Sequence, residues 1–338
     1  MLRKNSIILS AAKNLILLSI LTCITTFSQP LNDDEKLILE YKDTRSLGKD
    51  DYLIEMLRSS DNLKHSLAAF AISNFSDTVF LDIIGEKLLG NEVDGFSSRF
   101  LAFALGQMNS SKSPVYLNQK LNKVLNDNNN TLLIMEIVNS LGKTGNEENL
   151  DILTKIKSEN RLINSAIAIA IARFGMRKIK SDAGFRKLAE LFEQSADSTV
   201  RRNVAFAFNR IGDMDALLAY NTELVISATS PDPISRMWSL SAIGKQQDTS
   251  SIEFLLDALA KENDWRVKVN IVNALGNYKI DMNSPLLEQT VNVLVDHAVK
   301  DPSVHVSIVS WQALGKIFGG ADTRNPLVRK IQQEILFI

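Results

Sequence analysis

The sequence holds a single cysteine, Cys23. A disulfide framework or a cysteine-based metal site needs more than that, so stability must come from packing. Proline (7) and glycine (15) are scarce in 338 residues, which removes most helix breakers and favours helices joined by short connections. An excess of charge of one sign is also missing. There are 38 basic and 39 acidic residues, interspersed, for a formal net charge of −1. A nucleic-acid surface needs a concentrated basic patch, so the composition argues against a nucleic-acid partner. Long apolar runs are absent after the first 30 residues, and no later segment suits a membrane span. What remains is Leu, Ile, Ala, Asn and Lys in abundance, with 45% hydrophobic residues to build a core.

The N-terminus reads as an export signal. Arg3 and Lys4 supply the positive start, Leu15 to Phe27 a short apolar run, and Ser28 a small residue ahead of Gln29-Pro30. Cleavage after Ser28 is expected, which places the mature chain in the periplasm or cell envelope. Two alternatives stand beside it. A retained membrane anchor would have a run of only 13 residues, against roughly 20 for a span. A lipoprotein signal anchored at Cys23 would carry Leu21 and Thr22 where small residues belong.

The rest of the chain repeats. A large apolar residue followed by glycine recurs at Leu105-Gly106, Leu141-Gly142, Phe174-Gly175, Ile211-Gly212, Ile243-Gly244, Leu275-Gly276 and Leu314-Gly315, at intervals of 36, 33, 37, 32, 32 and 39 residues. An earlier copy, Ala69 to Ser73, has serine in place of the glycine, giving eight copies from about residue 50. Four residues before each glycine stand Ala102, Val138, Ile171, Phe208, Leu240, Val272 and Trp311, on the helical face expected to meet the core. Glycine in the left-handed conformation is expected to close each helix. A second amphipathic helix then follows, as at Phe80–Leu89, Val115–Leu125, Leu150–Ile156, Phe185–Phe192, Ile252–Leu259 and Leu286–Val299. A helical pair of this kind cannot bury its apolar face alone, whereas stacked pairs can. Several second helices are read as opening on an aspartate: Asp197, Asp232-Pro233, Asp264-Trp265-Arg266 and Asp301-Pro302. Aspartate there caps the orphan amides, and proline suits the first turn.

The pattern Asp-(Pro), Val-Arg or Val-Lys, then Ala-Leu-Gly resembles HEAT repeats of the short bacterial type. It is clearest from Asp264 through Val267-Lys268 to Ala274-Leu275-Gly276. The resemblance implies an all-α, right-handed solenoid of about eight hairpins, with the second helices lining a concave face. The expected division is signal peptide 1–28, capping helix 29–49 and repeat array 50–338. The last repeat is incomplete: after Gly319-Gly320 one helix begins near Pro326 and the chain stops at Ile335–Ile338. Either that apolar tail folds back or the array continues into a further domain. Ile38 to Gly48 also resembles the opening of HEAT arrays joined to exported cyclophilin-type peptidyl-prolyl isomerases. That would make these residues the non-catalytic, substrate-holding portion of such an enzyme.

Catalytic signatures are not evident. His65, His297 and His305 share no ligand spacing and are expected at the surface or rim, so no metal or cofactor is expected. Asp127 to Thr131 departs from a calcium loop and reads as a polar turn. One polar periodicity remains. Arg202 and Asn209, Arg266 and Asn273, and His305 and Gln312 are each seven residues apart, two turns along one helical face. As parallel rungs on successive second helices they would form a groove for an extended peptide or acidic segment. The plain alternative is the solvated face that every amphipathic helix has. Trp238 is a candidate anchor for a partner. The expected function is a non-catalytic scaffold that binds a protein or peptide.

Overall fold

The computed structural model describes residues 32–319 except 76, 77, 92, 109, 282 and 283, together with Arg329. The expected export segment with Cys23 and the terminal Ile335–Ile338 lie outside the described residues. Among the described residues the regular structure is helical. The chain falls into two compact units, one ending at Phe75 and the other beginning at Ser76.

The first unit holds α1 (Asp33–Thr44), α2 (Tyr52–Arg58) and α3 (Asn62–Ile72). Asn32 and Glu35 close a reciprocal capping box at the start of α1, each side chain accepting from the other's amide at 2.9 Å. Ile38, Leu53, Leu57 and the run Leu67–Ile72 are buried. Asp61 caps α3 by accepting from the amides of Leu63 and Lys64, so the copy that lacks the glycine still has an aspartate start. His65 is buried rather than at the rim, 1% exposed, with a ring nitrogen 3.4 Å from the carbonyl of Ser59.

The second unit stacks seven hairpins: α4 (Leu81–Leu89) with α5 (Gly95–Gln107); α6 (Ser113–Val124) with α7 (Thr131–Thr144); α8 (Glu147–Thr154) with α9 (Arg161–Met176); α10 (Asp182–Gln194) with α11 (Ser198–Ile211); the pair α12 (Met214–Ala219) and α13 (Asn221–Ala228) with α14 (Pro233–Lys245); α15 (Ser251–Lys261) with α16 (Trp265–Leu275); and α17 (Pro285–Lys300) with α18 (Val304–Ile317). The fold is an all-α repeat solenoid. Asp197, Asp232 and Asp264 cap α11, α14 and α16. Aspartate cap and glycine mark therefore bracket one and the same helix. The helix that follows each glycine opens the next hairpin instead of completing the current one.

The glycines do a different job from the one expected. Of the seven marks only Gly212 has a positive φ, 59°. The others lie within their helices or at a right-handed end, and at all of them except Gly315 the absent side chain admits the next repeat. A Cβ on Gly142 would stand 2.7 Å from the Cα of Ala170. On Gly106 it would meet Ser140 at 2.3 Å, on Gly175 Ile211 at 2.3 Å, on Gly244 Ala274 at 2.3 Å, and on Gly276 Ala313 at 2.6 Å. Real Cβ atoms do not approach so closely, so any larger residue forces a neighbour to shift, least readily at Gly142 and Gly276, where the obstacle includes the backbone. Ser140, Ala274 and Ala313 each stand two residues before the next mark. The repeat therefore encodes a small residue that fits the preceding glycine. Among the opening helices the spacing is wider, as where Gly85 of α4 receives the ring of Tyr116 from α6.

The large residues before the marks fill the space between the layers. Leu105, Leu141, Phe174, Ile243, Leu275 and Leu314 are all buried, as are Val138, Ile171, Phe208, Leu240 and Val272 four residues before the marks. Ile211 and Trp311 are half-buried.

Candidate functional site

The glycine-marked helices carry every predicted site residue, and their two ends differ in chemistry. At the N-terminal ends, basic side chains of one repeat hold carboxylates of the next. Arg202 donates Nε and Nη2 to the Asp232 carboxylate, both at 2.9 Å. Arg236 does the same with Glu262 at 2.8 Å. Lys268 reaches Asp301 at 2.9 Å and Arg161 reaches Asp197 at 3.5 Å. Bidentate pairs of this geometry are the strong form of the ion pair. Burial works against ionising Asp232, but Arg202 and the bonds from Ser235 outweigh it and hold its carboxyl below the ordinary range. Arg266 folds back onto its own cap. Its hydrogen bonds keep Asp264 at about 2.

Two of the predicted rungs therefore begin with arginines already committed to carboxylates. Asn209 is buried, 3% exposed, and Asn273 spends its side-chain amide on the Val269 carbonyl at 2.9 Å. His305 stacks on Trp265, ring centroids 4.8 Å apart, while Gln312 is exposed. The structure does bring Asn209 and Trp238 to the same step of the array, through Arg210. The Arg210 guanidinium carbon lies 5.2 Å from the Trp238 ring and 5.2 Å from the Phe206 ring.

At the C-terminal ends, cations reach back to the preceding marked helix. Arg173 donates to the carbonyl and Oδ1 of Asn139 at 3.0 and 3.1 Å. Arg177 donates to the carbonyl of Gly142 at 3.2 Å, and Lys245 donates to the carbonyl and Oδ1 of Asn209. These cations satisfy carbonyls left open at helix ends and complement the helix dipole. Asn139 and Asn209, each three residues before its mark, are thus acceptors between repeats. The sequence did hold a signal for this row, a lysine directly after the mark at Lys143, Lys245 and Lys316.

One step of the row contains a buried acid. Glu136 is 7% exposed and accepts weakly from Ser140 at 3.5 Å. Burial raises its pKa despite the pull of Lys143, Arg173 and Arg99. Burial likewise lowers Lys143 to about 8, against the attraction of Glu136, with its ammonium 4.8 Å from the Phe103 ring. An NMR titration should find the Lys143 amine with a midpoint near 8, well apart from exposed lysines near 10.4. The folded state then holds fewer protons than the unfolded state between about pH 8 and 10.5, so this group makes stability rise with pH across that window. Glu136→Gln should lower the midpoint further. A midpoint near 10 would contradict the burial.

Among the described residues no group of three His, Cys, Asp or Glu side chains could hold a metal ion, and no helix is long and apolar enough to cross a membrane. A recess of about 590 Å³ between the α8–α9 connection and α10 is lined by Lys157, Glu159, Lys187, Glu190 and Gln194. Lys187 is spent on Glu190 at 3.0 Å.

The repeat geometry has a counterpart among known families. Residues 185–276, from α10 through the mark that ends α16, match the family described as HEAT repeats. The chain carries HEAT repeats. Its HEAT array is similar to the crystal structure of YibA from Escherichia coli, at 17% identity and a TM-score of 0.55, covering 86% of this chain and 98% of that one. At that identity the likeness shows the fold alone. More distant likenesses are to human deoxyhypusine hydroxylase (18% identity, TM-score 0.33, covering 85% and 97%) and to the CpcE–CpcF complex of phycocyanin lyase from Nostoc (13%, 0.36, covering 92% and 96%). A comparison with curated proteins finds no match.

Proposed function

We propose that this HEAT protein is an exported, non-catalytic scaffold that binds a protein or peptide partner along the layer of glycine-marked helices. The observation that carries this reading is the asymmetry between the two layers. The marked helices approach one another to backbone contact at Gly142 and Gly276, which suits the inner layer that repeat arrays present to partners. That layer also leaves large apolar side chains in solvent: Leu132, Trp265, Val304 and Ile308 are 44%, 46%, 65% and 50% exposed. Apolar side chains along a groove with polar edges suit an interaction surface. Export rests on Arg3, Lys4 and the apolar run ending before Ser28. It is checked by the N-terminus of the mature protein, expected at Gln29.

The test is a photo-crosslinker placed in turn at Leu132, Trp265 and Ile308 on the marked layer, and at Val115, Leu218 and Ile226 on the opening helices. Val115, Leu218 and Ile226 are also exposed, at 53%, 45% and 50%. In envelope extracts the first set should capture a common partner and the second should not. Equal capture from both sets, or capture only from the opening helices, would reject the inner layer as the binding face.

A further inference from the structure

We propose that the step between α11 and α14 is a carboxylate-recognition site, and that the partner it takes is an extended acidic peptide segment. The inference rests on the inner-layer reading above and specifies what that layer selects. Five side chains build the site. The Arg210 guanidinium carbon lies beside both Phe206 and Trp238, 5.2 Å from each ring, and the two rings meet edge to face at 5.3 Å. The Nε of Arg210 is buried and has no hydrogen-bond partner. Lys245 sits beside it, exposed, and bonds the carbonyl and Oδ1 of Asn209. Asn209 is 3% exposed and its Nδ2 is buried without an acceptor. Two cations and an orphan amide donor thus share one place. Burial lowers Arg210, and for Lys245, an exposed residue whose ammonium turns in against Asn209, partial desolvation and then the neighbouring Arg210 lower the amine, with no carboxylate acting on either.

The array itself shows what such a place accommodates. At the α7–α9 step, Asn139 again accepts from a cation of the next marked helix, here Arg173, and a basic cluster again forms. There the chain supplies its own acid: Arg99, Lys143 and Arg173 all act on the buried carboxyl of Glu136. Glu136 stands six residues before its glycine, and six residues before Gly212 stands Phe206. At the α11–α14 step two cations, Arg210 and Lys245, come from other positions of the two helices, and the internal carboxylate is replaced by an aromatic wall. A carboxylate brought by a partner completes the arrangement, with Trp238 and Phe206 left to contact the apolar side chains beside it.

The same helices argue against a continuous polyanion. Their opposite edge carries Asp197, Asp232, Glu262, Asp264 and Asp301, which a phosphate backbone crossing the layer would meet. A peptide with isolated acidic residues places charge only where the cations are.

The experiment is fluorescence anisotropy with a labelled decapeptide in which glutamates flank leucine, and a counterpart with glutamine at each glutamate. The array should bind the acidic peptide at least about tenfold more tightly than the neutral one, since a hydrogen-bonded charge is typically worth that factor or more. Lys245→Gln, a change at an exposed residue, should remove most of that preference, and Lys245→Gln with Arg210→Gln should remove all of it. Lys261→Gln, at an exposed lysine of α15, should leave it intact. Phe206→Glu, which restores an internal acid in register with Glu136, should abolish acidic-peptide binding while the helical circular dichroism is retained. Equal binding of the two peptides, or acidic binding unchanged by Lys245→Gln, would overturn the carboxylate site and leave the inner-layer reading to the crosslinking result. A single-stranded oligonucleotide or inorganic phosphate displacing the peptide at lower concentration than free acidic peptide does would also overturn it. Absence of acidic-peptide binding by the unaltered array would overturn it outright.

Discussion

Asp301→Ala is expected to destabilise the array by about 3–5 kcal/mol, the usual cost of removing one partner from a buried ion pair. The Asp301 side chain is 2% exposed and joins three parts of the last described hairpins. It accepts from Lys268 of α16 at 2.9 Å, from His297 of α17 at 2.9 Å, and from the Ser303 amide ahead of α18 at 2.9 Å. Without it, the Lys268 ammonium is left largely buried, and the start of α18 loses the carboxylate that anchors it. Denaturant unfolding followed by far-UV circular dichroism measures the loss. A change below about 1 kcal/mol would put the pair in the weak class of surface bridges.

Acid should act on the same links. Burial disfavours the Asp301 carboxylate, but the Ser303 amide, Lys268 and His297 together hold its pKa below 3.8. Asp232, Asp197 and Glu262 are lowered as well, and Asp264 lies at about 2. A depressed carboxylate contributes stability that is complete above its unfolded pKa and is lost as pH falls through its folded value. The array should therefore lose stability progressively from about pH 4 towards pH 2, and Asp301→Ala should take up fewer protons over that range.

Gly142→Leu is expected to cost more than about 3 kcal/mol, beyond the usual range for overpacking a core. The first atom of any side chain there meets the backbone of α9, with the Ala170 Cα at 2.7 Å and Cβ at 2.9 Å. A flexible side chain could rotate away, whereas the Ala170 backbone moves only if two helices part. The burial of Leu141, Val138, Ile167 and Ile171 depends on those helices staying together. The expected result is a lower unfolding midpoint with a shallower transition, because separation at one step uncouples neighbouring repeats. Near-native stability of this variant would mean that the close approach is not needed.

The hairpins were legible because burial imposes a strict period. The large residues at Leu105, Leu141, Phe174, Ile243 and Leu275 can only point into the stack, and their spacing marks one repeat. The role of the adjacent glycine was misread because glycine has two uses, backbone freedom and absence of a side chain. Only the position of Ser140, Ala170, Ala274 or Ala313 in the neighbouring helix separates them. The same limit explains why helix order within a hairpin was confused. Asp264 and Gly276 are marks of similar strength, and without coordinates either can seem to begin or end a pair. The stretch after Gly212 was not assigned at all. It forms two short helices, α12 and α13, broken at Tyr220, whose ring meets Phe208 at 5.5 Å.

The candidate rungs were legible as a periodicity but not as chemistry. Seven-residue spacing places Arg202 above Asn209 on one helix. Their partners, Asp232 and Lys245, come from the next repeat, 30 and 36 residues away. Contacts at that separation depend on how closely the marked helices pack, which is set by the glycines. The Arg210 cluster is hidden in the sequence for the same reason, since Phe206 is on its own helix but Trp238 comes from the next marked helix.

The decisive measurement is the unfolding free energy of an alanine series at Gly106, Gly142, Gly175, Gly244, Gly276 and Gly315. The first five should each lose about 1–3 kcal/mol, because a Cβ enters space held by the next helix. Gly315 lies within α18 and a Cβ there meets nothing within 4 Å, so its alanine variant should gain up to about 1 kcal/mol from helix propensity. If all six variants are stabilised alike, or all six destabilised alike, the glycines do not set the spacing of the inner layer.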